Sequence, residues 1–233
     1  MKKTVSIILA VILFALIVTT TGCSRKTPEL TDSFALKQDA CIGAAAWGMS
    51  KDEVKKLLGS QYTLSDYSAF EEADSVMIEE ISFLEKRAAA IFLFTKTETE
   101  GSQEQLSGIT VIFPDEPDKT ALAGKVSAVL GEIETTGVQL SGNKYDLAEE
   151  NRFWHSKESV WEALTEAGKQ TAFAALAESM KEVREIDRAY AEWWFSQKYL
   201  TTARFEETPR FEGLCLSLSG EGYLMVRKLN NLP

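Results

Sequence analysis

One histidine and three cysteines in 233 residues leave little from which to build the familiar catalytic centres. Structural and catalytic zinc sites draw their ligands mainly from His and Cys, so the usual zinc types are excluded. A Ser–His–Asp or Cys–His arrangement would have to pass through His155. Its neighbour Ser156 reads instead as a helix cap. No glycine-rich loop joins a strand to a helix in the phosphate-cradling manner; Gly220 and Gly222 suit a turn. The acidic clusters are Glu71-Glu72-Asp74, Glu79-Glu80, Glu98/Glu100 and Asp146/Glu149/Glu150. None alternates Asp or Asn around a glycine as a calcium loop does, and they read as solvated faces. No cofactor is expected. Basic charge is also short, since 25 Lys+Arg face 35 Asp+Glu for a formal net charge of −10. Nucleic-acid phosphates would be repelled by such a chain. The catalytic chemistry left open is a pair of carboxylates assembled in space.

What is present begins with an address. Lys2 and Lys3 precede an uncharged run from Thr4 to Gly22, a basic region followed by an apolar one as in secretion signals. The run approaches the roughly 20 residues that span a bilayer, so an uncleaved anchor is the alternative to a cleaved signal. Residues 24–40 are polar, contain Pro28 and show no sustained period. They read as a tether.

The globular part opens with Trp47-Gly48-Met49-Ser50. Ser50 followed by Glu53 is a capping-box signature. Val54, Leu57 and Leu58 give the helix one apolar face, and Gly59 stands where a left-handed cap is wanted. Tyr62 to Asp74 has no clear period. Ser75 to Lys86 alternates like a strand but slips by one between Ile78 and Ile81, the mark of a bulge. Ala89 to Thr97 reads as a strand buried on both faces, and Leu106 to Phe113 as the next, after a polar loop from Glu98 to Gln105. Asp118 caps a second helix carrying Leu122, Val126, Val129 and Leu130. Arg152 to His155 is a short strand. Lys157 to about Ala191 is a helical stretch that Gly168 could divide. Trp193 to Phe205, Leu214 to Leu218 and Tyr223 to Leu229 read as closing strands, the last two joined by a Ser219–Gly222 hairpin. The expected class is α+β: an antiparallel sheet with helices packed on one face.

The motif W-G-M-S-x-x-E-V-x-x-L-L-G, here Trp47 to Gly59, resembles the opening of small lipoproteins of Gram-positive bacteria. More loosely, it resembles the first helix of the outer-membrane-assembly lipoprotein BamE and of the β-lactamase-inhibitor protein. The closing L-x-L-S-G, Leu216 to Gly220, is similar to the end of the same lipoproteins. Thr20-Thr21-Gly22-Cys23 resembles a lipobox, which implies residues 1–22 as a signal peptide and lipidated Cys23 as the first mature residue. The resemblance implies a tether over 23–40 and an α+β domain over 41–233, with 41–117 and 118–233 as tandem halves if the inhibitor's duplication holds here.

Cys41 and Cys215 are then left as an even pair outside the cytoplasm, either a disulfide or two buried thiols. Adjacent Trp193 and Trp194 would point to opposite faces of a strand, leaving one exposed beside Tyr223 as an aromatic contact for a protein or envelope partner. The expected function is a non-catalytic binding or scaffold module, lipid-anchored outside the cytoplasm on the cell membrane. The alternatives are an inhibitor of an extracellular hydrolase and a carboxylate-based envelope enzyme. Cys23→Ala should abolish acyl labelling and leave an unprocessed or slowly processed precursor; labelling that persists would refute the lipobox.

Overall fold

The computed structural model describes residues 45–68, 74–96, 104–115, 117–130, 138–140, 143–145, 153–206, 211 and 213–232. The expected signal peptide, Cys23, the tether and Cys41 lie outside these residues. The fold is α+β, with a seven-stranded antiparallel sheet and six helices among the described residues.

The first helix, α1 (Lys51–Leu58), forms as its capping box dictates. Ser50 accepts from the Glu53 N–H, and the Glu53 carboxylate accepts from the Ser50 N–H at 2.8 Å. Val54 and Leu58 are buried beneath it. Gly59, expected to be left-handed, instead keeps right-handed backbone (φ −63°, ψ −15°), because its N–H still bonds the Lys55 carbonyl. Four strands follow, β1 (Leu64–Tyr67), β2 (Asp74–Phe83), β3 (Lys86–Lys96) and β4 (Glu104–Phe113), each antiparallel to the last. In β2 the slip is a bulge: Ile78 pairs with Ala90 and Ile81 with Ala88, so Glu79 and Glu80 together oppose Ala89. Both glutamates are exposed, and Val76, Ile78, Ile81 and Phe83 all reach the main core. A second irregularity at Ser107 does the same for Leu106 and Ile109.

The β2–β3 hairpin turns on Leu84 and Glu85, at φ 52° and 61°. Two positive-φ residues suit the twist of a two-residue hairpin but are costly for side chains larger than Asn. Lys125 of α2 (Lys119–Leu130) holds the turn by donating to the Leu84 carbonyl at 3.2 Å and pairing with the Glu85 carboxylate. Asp118 caps α2, accepting from the Ala121 N–H at 3.0 Å.

After a small hairpin of β5 (Val138–Leu140) and β6 (Asn143–Tyr145), β7 (Phe153–His155) forms the far edge of the main sheet. The chain then leaves the sheet for three helices, α3 (Val160–Ala163), α4 (Glu166–Met180) and α5 (Arg188–Ser196). It returns as β8 (Thr202–Glu206) and β9 (Leu214–Ser219), and ends in α6 (Glu221–Leu229). The sheet order is β1-β2-β3-β4-β9-β8-β7, so residues before and after α2 build from opposite edges and meet at the β4–β9 pair.

Three expectations fail in this part. The long helical stretch breaks at Leu164-Thr165, because Thr165 caps α4 by accepting from the Gly168 N–H. Gly168 therefore opens a helix and divides nothing; a Cβ there would lie 2.0 Å from the Asn230 Oδ1 that also accepts from Thr165. Ser159, with Glu162, is the cap of α3. Ser156 instead donates to the Glu158 carbonyl and accepts from the Leu200 and Thr201 N–H groups. Finally, Trp193-Trp194 and Tyr223–Leu229 are helical and no hairpin joins Ser219 to Gly222. Asp187 caps α5 by accepting from the Tyr190 N–H at 2.7 Å, and Gly220 leads into α6.

Two cores result. The larger lies between one face of the sheet and α1 and α2, around Trp47, Phe92, Phe94, Phe113 and Trp154. The second joins α3, α4, α5 and α6 around Trp161, Leu176, Phe195 and Val226. A smaller apolar cluster of Ala89, Ile91, Ile112 and Cys215 occupies the opposite sheet face. Leu58→Ala should destabilise the chain by about 2–5 kcal/mol and Ser50→Ala by about 1 kcal/mol in urea unfolding. A neutral Leu58→Ala would contradict the placement of α1.

Candidate functional site

The aromatic run of α5 decides where the surface is unusual. With 3.6 residues per turn, Ala191 and Phe195 fall on one side, and both are buried in the helical core. Phe195 stacks on Trp161 at a centroid distance of 6.4 Å. Tyr190, Trp193 and Trp194 fall on another side, at positions i, i+3 and i+4. The three rings touch, with centroids 5.5 Å apart for Tyr190–Trp193, 6.3 Å for Tyr190–Trp194 and 6.5 Å for Trp193–Trp194. Trp193 is 44% exposed and Trp194 36%.

The expectation of one buried and one exposed tryptophan is thus corrected, because a helix puts neighbours 100° apart while a strand would set them on opposite faces. Tyr223 joins a different place. Half-buried at the start of α6, it packs against both cores and its N–H bonds the Leu200 carbonyl at 3.0 Å. It makes no ring contact with the α5 aromatics.

Two cations complete the patch. The Arg184 guanidinium lies 4.1 Å from the centre of the Tyr190 ring, and Lys198 Nζ lies 5.2 Å from that of Trp194. Neither has a carboxylate partner among the described residues. Sequence reading found the two tryptophans but missed Tyr190, Arg184 and Lys198. The i, i+3, i+4 spacing was available, once Asp187 was recognised as a cap.

The other candidates are engaged in structural work. His155 stacks on Tyr199 with centroids 3.5 Å apart, and its Nδ1 lies 2.7 Å from the Ser156 carbonyl, to which it donates. Burial holds its pKa below the usual histidine value, against the opposing effect of that hydrogen bond. Cys215 is a buried free thiol, pushed up to about 11 by burial and by Glu206, so it stays protonated. Its pairing with Cys41 involves a residue outside those described. Among the described residues no group of His, Cys, Asp or Glu comes together as a metal set. No helix among them is long and apolar enough to cross a membrane.

Among the described residues, the carboxylates with resolved shifts are all held down. Lys51 bridges Asp66 at 2.8 Å and Asp74 at 2.7 Å, while Lys55 reaches Asp66 at 2.8 Å, tying α1 to β1 and β2. Hydrogen bonds from Lys51 and Lys55 lower Asp66 to about 2, and Lys51 likewise lowers Asp74. Glu53 and Glu162 are lowered by their capping serines, Glu85 by Lys125, and Glu166 by Lys169 and Arg188.

No protein-family model matches the chain, and no curated protein or solved structure is significantly similar to it.

A carboxyl depressed in the fold stabilises it above the unfolded value and loses that effect as pH falls through the folded value. For Asp66 the window runs from about pH 4 down to its folded value. Asp66→Asn with Asp74→Asn should give a shallower decline of melting temperature across that window than the wild-type chain shows. An unchanged acid limb would mean that the Lys51 cluster does not act on stability.

Proposed function

We propose that the chain is a membrane-anchored, extracytoplasmic lipoprotein whose domain is a non-catalytic binding module of the cell envelope. The observation that carries this reading is the α5 patch of exposed Trp193 and Trp194 with half-buried Tyr190, flanked by Arg184 and Lys198. Large, stiff aromatic rings bring much contact area at little entropic cost, and with Arg they dominate binding hot spots. The lipobox at Cys23 supports the address. The case against catalysis is positive chemistry. The Ser156 hydroxyl is held by backbone groups, and His155 donates to a carbonyl.

Trp193→Ala with Trp194→Ala should abolish cross-linking from α5 to envelope components in native membranes. Both rings are more than half covered, so the melting temperature should fall as well, and cross-linking is compared at a temperature where circular dichroism shows both chains folded. Unchanged cross-linking would remove the patch from the contact. Turnover of an envelope glycan or peptide, lost when one carboxylate is neutralised, would move the protein to the enzyme class.

A further inference from the structure

We draw no further inference here: the strongest candidate, the outer aromatic face of α5 where Tyr190, Trp193 and Trp194 meet, carries nothing beyond the contact already proposed, because nothing in the structure shows what covers it.

Discussion

A buried indole N–H without an acceptor would cost roughly 1–3 kcal/mol, and Trp47 escapes that cost because Thr201 Oγ1 stands 2.8 Å away. The contact spans 154 residues and brings the stretch just before α1 to the end of the helical insertion. Around it the backbone closes too: the Gly48 N–H bonds the Leu106 carbonyl, and the Leu106 N–H bonds the Met49 carbonyl. Gly220 completes the site by having no side chain. A Cβ there would stand 2.2 Å from the Trp47 ring. Since Gly220 also bonds the Ser107 carbonyl and leads into α6, the ring sets how α6 leaves the sheet. Tyr223 then sits on the seam between the two cores. Remove the indole, and the sheet core loses both its bond to Thr201 and the ring that Gly220 makes room for.

The first half of the domain was legible because local signals and burial agree there. Ser50 and Glu53 cap α1 as their spacing requires. The slip in alternation at Glu79-Glu80 is the bulge itself, since a strand that must keep Val76, Ile78, Ile81 and Phe83 inward has to absorb one extra residue. β3 and β4 are apolar on both sides because two clusters claim them.

The second half was misread at α5 and α6, and for one reason. Tyr, Trp, Phe, Val and Leu favour a pleated, half-buried surface, so E-W-W-F and Y-L-M-V read as strands on propensity. Short helices are decided by tertiary contacts and caps. Asp187 fixes the start of α5, and the Trp47 ring lies so close to Gly220, where β9 gives way to α6, that a side chain there would clash. The Asp187 cap is a local signal that the sequence carried, whereas the Trp47–Gly220 approach spans most of the chain and could not be read from the run of residues alone. The Leu84-Glu85 turn was missed similarly. Its holding group, Lys125, lies 41 residues from Leu84.

These errors bear on function, because the helix and the strand would present different surfaces. As a strand, Trp193 and Trp194 would divide between core and solvent, leaving a single ring. As a helix with Ala191 and Phe195 turned inward, α5 keeps Tyr190, Trp193 and Trp194 together on one outer side. Burying a large apolar side chain stabilises a fold by about 1.5–3 kcal/mol, and the domain forgoes a part of that for both tryptophans. The helical core already holds an aromatic pair, Trp161 and Phe195, beneath this surface. The outer rings pack on one another, and cations lie over Tyr190 and Trp194. The helix therefore offers both tryptophans to one contact, which a strand could not have done.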